Sequence, residues 1–362
     1  MNYRLATILA REAHASDTTK VIDLNLSDPV SQIIISHEPY MATSGSPTAH
    51  PAGCITKIEL VDGSDVLFSL TGKEAQAADW YHRMQEPANV LQYPPTLYGT
   101  EMFLMNFGRF LWDPLYAFDP RKFTNPQLKI TIDVDGGGTN VTTGYLTVLA
   151  HLFDEKAVEP TGFFMHKEIK DYALAASAHE YTDLPNDYPY RKLFARIQKY
   201  GTGPEDCFST VKLSEDNDKR IPYNHTIAEI LRSIVGQGRE YRETILSEGY
   251  IAGSWSYCTP TYRQVLLATQ WRPTPSAALT SLFYGDGGRF WVRNQSATSN
   301  LWILSTGWCP HGVIELPFGL QDDPTDWYDV TKLGSLRLDI LSASGVDSGD
   351  SCQIFLQQLR PY

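Results

Sequence analysis

Apolar and polar residues alternate with period two along most of this chain. Val21 to Leu26 reads Val-Ile-Asp-Leu-Asn-Leu, and Ile55 to Leu60 reads Ile-Thr-Lys-Ile-Glu-Leu; both patterns predict strands with one buried face. Ile33 to Ile35 predicts a short buried strand, and His37 to Gly53, rich in Pro, Gly, Ser and Thr, a loop. Asp62-Gly63 turns the chain into Val66 to Leu70, which completes a hairpin. Thr71 to Met84 then switches to helical spacing, with Thr71 or Gly72 near its start and Glu74 in the first turn. Met102 to Phe107, Leu128 to Val134 and Tyr145 to Phe153 are further strands. The opening segment breaks the pattern. Leu5, Ile8 and Leu9 fall at spacings of three and four with Arg4 and Arg11 off the stripe, so Asn2 to Ala15 is expected to be a short amphipathic helix or arm.

The same signals then return. Phe107-Gly108, Asp113-Pro114, Asp119 and Leu128 to Ile132 are matched by Phe318-Gly319, Asp323-Pro324, Asp329 and Leu336 to Ile340, and each series leads through a turn into an apolar strand, Tyr145 to Phe153 and Cys352 to Leu359. Leu193 to Gln198, Phe208 to Leu213, the acidic turn Asp216-Asn217-Asp218 and a helix over Thr226 to Ile234, capped near Asn224 or His225, repeat the order found over residues 55–84. A repeat of this length implies two copies of one structural unit. The second copy is longer: Leu60 and Leu213 stand 153 residues apart but Phe107 and Phe318 stand 211 apart, which leaves 58 additional residues after the second helix. That insertion carries Trp255, Trp271, Trp291, Trp302 and Trp308, strand-like runs at Val265 to Trp271, Arg289 to Arg293 and Leu301 to Ser305, and a hairpin signal at Tyr284 to Gly288. Such insertions build exposed projections.

Many short strands with Gly/Pro turns and one helix per half predict an all-β protein of two tandem sandwiches. The expected division is an N-terminal arm or helix over 1–20, a first sandwich over 21–160, a linker over 161–189, where Pro185 and Pro189 punctuate weak patterning, and a second sandwich over 190–362 with its insertion at about 235–310.

Composition narrows the function. The 362 residues carry a net charge of −12, which disfavours sequence-specific binding to nucleic acid. Five scattered cysteines fit a reducing compartment, and the charged residues Arg4, Arg11 and Glu12 argue against a secretory signal, so synthesis in a cytosol is expected. Catalytic signatures such as GxxxxGK[ST], GxSxG and HExxH are absent from the sequence, and no enzymatic activity or cofactor is expected. Cys309 and His311 alone do not make a zinc site. Asp133 to Gly138 opens like a calcium loop but offers Gly where a third oxygen ligand is required. Asp113 and Asp323 could pair as glycosidase carboxylates, yet each precedes Pro in a repeated motif, which favours Asx turns.

Ile58 to Ser64 with the following helix, Phe107-Gly108-Arg109 with Asp113-Pro114, Leu128-Lys129-Ile130, and Tyr190 to Asn224 resemble the double jelly-roll major capsid proteins of tailless icosahedral viruses, often membrane-containing, including bacteriophages. The resemblance covers roughly residues 20–360. It implies two eight-stranded jelly rolls with short helices standing side by side. It also implies a homotrimer that looks nearly six-fold and tiles an icosahedral virion shell, and an elaborated outward tower at the second roll's insertion. The implied partners are neighbouring capsomers, penton and minor capsid proteins and, through the N-terminal arm, an internal membrane. On that reading the five tryptophans are trimer or tower contacts, because aromatic residues enrich buried interfaces. The rival expectation is a carbohydrate-binding or carbohydrate-active β-sandwich, whose exposed Trp and Tyr would stack on sugars.

Overall fold

The computed structural model describes residues 2–42, 48–138, 141–248, 254–270, 281–283, 286–293 and 300–362. The first half forms β1 (Tyr3–His14), β2 (Thr18–Asp23), β3 (Val30–Met41), β4 (Ile55–Asp62), β5 (Asp65–Leu70), helix α1 (Gly72–Arg83), the two-residue strands β6 (Leu91–Gln92) and β7 (Leu97–Tyr98), then β8 (Glu101–Asn106), β9 (Pro126–Ile132) and β10 (Val141–Phe153). The second half forms β11 (Gly162–Ala173), β12 (His179–Asp183), β13 (Tyr190–Ile197), the single turn α2 (Pro204–Cys207), β14 (Phe208–Glu215), β15 (Arg220–Thr226) and α3 (Ile227–Gln237). After α3 come β16 (Tyr241–Glu248), β17 (Ser254–Tyr257), β18 (Tyr262–Gln270), β19 (Ser281–Phe283), β20 (Arg289–Arg293) and β21 (Asn300–Trp308). The chain finishes with β22 (Val313–Pro317), β23 (Leu336–Ser342) and β24 (Ser351–Pro361).

Sheet order shows the duplication. In the first half β1-β10-β3 with β8 faces β2-β9-β4-β5; in the second half β11-β24-β13-β22 faces β12-β23-β14-β15. These are the same two four-stranded sheets, strand for strand, so each half is an eight-stranded jelly roll. Apolar faces drive each closure: Ile58, Leu60, Leu128 and Ile130 are buried in one roll, Val211, Leu213, Leu338 and Ile340 in the other. The helices match as well. Thr71 accepts from the backbone N–H of Glu74 while Glu74 accepts from that of Thr71, and Thr226 and Glu229 repeat the same capping box.

The rolls are fused. Strand β5 of the first pairs in parallel with β11 of the second, placing Phe68 opposite His166 and Ser69 opposite Lys167, and one sheet of eight strands runs through both.

Three expectations fail. The short strand at Ile33 to Ile35 is the middle of β3, which runs on to Met41, so the loop expected from His37 starts only after it. Asn2 to Ala15 is not a helix: β1 spans twelve residues and pairs antiparallel with β10. Register shifts between Thr7 and Leu9 and between Leu9 and Glu12 bulge the strand, so Ile8 and Leu9 both lie against the core, and this break in alternation imitates helical spacing. Residues 3–14 are therefore a strand of the first roll and not an arm separate from it. The span 161–189 is not a linker either. It supplies β11 and β12, the first two strands of the second roll, and the crossing is confined to the segment between Phe153 and Gly162.

Candidate assembly surfaces

The joint between the rolls is built around α1. Every residue from Glu74 to Tyr81 is buried, although the helix carries Glu, Gln and Asp, because the second roll covers the face that a lone roll would leave wet. The Tyr81 hydroxyl donates to the carbonyl of Val313 at 2.7 Å, and Lys192 Nζ donates to the carbonyl of Tyr81 and to Glu315, each at 2.7 Å. Arg191 Nη1 donates to His82 Nδ1 and to Gln357 Oε1, both at 2.8 Å, and its guanidinium lies 4.9 Å from the Phe164 ring centre. Burial among these cations holds the two histidines of the joint neutral: His82 is pushed well below its ordinary range and His166 down to about 3.

The insertion stands over the first roll, although the second encodes it. Strands β18-β21-β16 form a sheet that β6 extends in parallel, Ile245 opposite Leu91 and Leu246 opposite Gln92. Beneath it Met41, Cys54, Leu91, Tyr93 and Val141 of the first half pack with Ile245, Tyr257, Phe290, Leu301 and Ile303 of the insertion. The seam also holds a buried polar chain. Tyr93 Oη donates to the carbonyl of Tyr257 at 2.7 Å, and Thr259 bonds both Glu243 and His50 Nε2. His50 Nδ1 accepts from the backbone N–H of Ala52, so its proton sits on Nε2. His311 Nε2 bonds Gln76 Oε1, and Gln76 Nε2 donates to Glu101. Burial pushes Glu101 up to about 8 and Glu243 to about 7, and lowers Lys73, whose ammonium donates to the Tyr200 hydroxyl, to about 7. These groups seal the joint between tower and roll.

The tryptophans do not form one cluster. Trp255 and Trp291 face each other across β17 and β20, and the Arg289 guanidinium lies 4.1 Å from the Trp255 ring centre. Trp308 packs against the main core at the tower's base. Trp302 lies on the outer face of the tower sheet, beside Leu304, Val265 and Leu267, which are 37%, 52% and 63% exposed. Trp271 lies outside the described residues. The sequence reading passed over Val265 and Leu267. Their signal was the unbroken run Val265-Leu266-Leu267, which makes both faces of β18 apolar.

The repeated turns are structural. Asp113 is buried, pairs with Arg109 at 2.7 Å, and accepts from the backbone N–H groups of Arg109 and Leu115. The Arg109 guanidinium and those donors hold its carboxyl below the usual range. Phe107 is fully buried beside it, and a Cβ on Gly108 would come within 2.4 Å of the Tyr116 carbonyl. In the second copy the roles divide. Asp323, followed by Pro324, keeps the bond to the N–H two residues on, that of Thr325, while the N–H after Gly319 goes to Asp326 at 2.6 Å. Gly319 has a φ of +65°, next to the buried Phe318. The two motifs touch, since Arg109 Nη1 donates to the carbonyl of Asp322. Asp133 likewise closes a turn, accepting from the backbone N–H groups of Asp135 and Gly136. Among the described residues no three His, Cys, Asp or Glu side chains are grouped to hold a metal, and no helix is long and apolar enough to cross a membrane.

No protein-family model matches the chain, and no curated protein matches its sequence. Solved structures do. The major capsid protein P2 of bacteriophage PM2 aligns over 99% of this chain and 98% of its own, with a TM-score of 0.55 and 11% identity. The structure of Sulfolobus Turreted Icosahedral Virus contains a chain matching over 99% of this one and 90% of its own, with a TM-score of 0.61 and 10% identity. PBCV-1 VP54, which has been fitted into a reconstruction of the virophage Sputnik, aligns over 99% of this chain and 94% of its own at 0.57 and 10%. The two jelly rolls, their order and their fusion thus give this chain the double jelly-roll fold of viral major capsid proteins.

Proposed function

We propose that this protein is a major capsid protein. Three copies associate into a pseudo-hexagonal capsomer, and capsomers tile an icosahedral virion shell, together with penton and minor capsid proteins, after synthesis in the host cytoplasm. The observation that carries this reading is the fusion of two equivalent jelly rolls through one continuous sheet, in a fold shared over almost the whole chain with viral capsid proteins. Three such subunits present six similar units around an axis, the number a hexagonal lattice demands. The role is structural: Asp113 and Asp323, the carboxylates that could have paired for glycoside hydrolysis, are spent on turns. The apolar face formed by exposed Leu304, Val265 and Leu267 beside the half-buried Trp302 supports contacts made by the tower.

Sedimentation of the purified chain at micromolar concentration, followed by electron microscopy, tests the proposal. A trimer with a pseudo-hexagonal outline is expected. Monomers that bind immobilised glycans would replace this reading with the carbohydrate-binding one. Trp302→Ala should loosen the trimer more than Asp113→Asn; equal and negligible effects would remove the tower from the interface.

A further inference from the structure

The duplication leaves one joint filled and an equivalent one open. In the first roll β5 would be a sheet edge, but β11 covers it, with Phe68 opposite His166. His166 packs its ring 5.3 Å from that of Phe68, Phe164 lies 5.9 Å from His82 on α1, and both second-roll side chains are almost wholly buried. In the second roll the matching edge is β15, which among the described strands pairs only with β14, and the matching helix is α3, with Ala228, Glu229, Arg232, Ser233 and Gln237 exposed. Between α3, β15 and β22 lies an open groove of about 470 Å³, lined by Tyr223, Ile230, Ile234, Leu316 and Pro317 among others.

The strand that would fill it can be read from the registers. Leu60 opposes Phe68 as Leu213 opposes Tyr223, so Tyr223 is the counterpart of Phe68. Gln32 and Lys192 are counterparts, since they pair with Asn106 and Pro317, the residues just before the two Phe-Gly motifs. Gln32 pairs with His151, which pairs with Leu5; Lys192 pairs with Gln357, which pairs with His166. Leu5 is therefore the counterpart of His166, and Tyr3 of Phe164. Yet Leu5 is 53% exposed and Tyr3 36%, on the strand β1 that pairs only with β10 among the sheet strands. Unpaired edges with exposed apolar side chains are templates for another chain.

We infer that the groove between α3 and β22 receives strand β1 of a second copy of this chain, in parallel with β15, with Leu5 of one subunit opposite Tyr223 of the other and Ala6 opposite Asn224. The contact is head-to-tail, uses different surfaces on the two partners, and closes into a ring when each joint repeats the rotation already built between the two rolls. This inference rests on the capsid reading and names the surface through which its trimer forms.

Neighbouring strands lie about 4.8 Å apart, within the span a disulfide bridges. All five native cysteines are buried and free, so introduced thiols can be oxidised selectively. The full-length double variant Leu5→Cys/Tyr223→Cys, and a mixture of the two single variants, should form intermolecular disulfides under mild oxidation, the double variant ending in a closed three-chain species on a non-reducing gel. Leu5→Arg, at an exposed position that cannot unfold the monomer, should weaken trimer association at least tenfold by sedimentation. A wild-type trimer that neither cross-links nor responds to Leu5→Arg would overturn this surface and leave the capsid reading standing. Cross-linking by Tyr223→Cys alone would overturn it too, in favour of a symmetric contact. A wild-type chain that stays monomeric and builds no shells would overturn the capsid reading itself.

Discussion

Helices α1 and α3 begin with the same capping box and lie at the same place in their rolls, yet one is buried on every side and the other keeps half its surface in water. Their sequences record the difference. α1 reads Ala-Gln-Ala-Ala-Asp-Trp-Tyr, in which Gln76 and Tyr81 reach partners in the second half while Asp79 is held by Arg83 and Asn106 of the first; α3 reads Ile-Ala-Glu-Ile-Leu-Arg-Ser-Ile, a one-sided stripe. The strands beside them differ likewise, β5 being buried over its last four residues and β15 largely exposed. Duplicated units that have diverged in this way show which joint the chain makes with itself and which side is left for another molecule.

Acid should break the comparison most strongly. His37, His50, His166 and His311 are buried and His82 half-buried, and desolvation pushes all five below their ordinary range, His37 and His166 to about 3. A histidine whose folded value lies below its unfolded one, about 6.5, stabilises the fold fully above that pH and loses this contribution as pH falls toward the folded value, at about 1.4 kcal/mol per pH unit and group. Glu74, Glu101 and Glu243, raised to about 7, 8 and 7, oppose the trend between pH 4.5 and their raised values, so the loss should steepen below about 4.5. His82 and His166 sit in the joint, His50 and His311 under the tower, and the outer sheet of the second roll offers only the exposed His179 and His225. Hydrogen exchange at pH 4 should therefore show α1 and β5 losing protection before β14 and β23. A uniform loss would remove the histidines from the explanation.

Truncating the joint comes next. Phe164→Ala empties a fully buried site and should cost about 3–5 kcal/mol in thermal unfolding, whereas Leu5→Ala, at an exposed position of β1, the strand that matches β11, should cost under about 0.5 kcal/mol in the monomer. Similar costs for the two would mean the joints are not equivalent. Glu315→Gln leaves Lys192, whose side chain is 4% exposed, without its counter-charge and should destabilise by about 3 kcal/mol, while Leu104, the first-roll counterpart of Glu315, has no charge to strand. Adding Lys192→Met should recover much of that loss. The smallest difference lies in the caps: Thr226→Ala should cost about 1 kcal/mol and Thr71→Ala about 2, because the latter disturbs the buried Glu74. Equal melting shifts would show that burial adds nothing to the cap.

Much of this was legible in the sequence. The Phe-Gly and Asp-Pro spacing exposed the duplication, and Thr71 and Thr226 mark both helix starts, the second where Asn224 or His225 was expected. What escaped was set by distant parts of the chain. The bulge in β1 disguised a strand as a helix, and β11 has weak alternation because strands on both sides and two rolls bury its first residues. The docking of the insertion onto the first roll depends on Leu91 and Gln92, a two-residue strand with no local signature. Asp326, which takes one bond that Asp113 makes in the first copy, lies three residues past the position that motif matching selects.

The parallel bond between β5 and β11 has a mechanical consequence. A hinge needs a few residues free to change their backbone angles. Here the crossing segment is bypassed by the β5–β11 pairing, by Lys192 bonded to Tyr81 and by Arg191 bonded to His82, so bending one half against the other would have to break these bonds. In the shell proposed above each subunit would act as a stiff plank, and curvature would be taken up at the contacts between one proposed capsomer and the next.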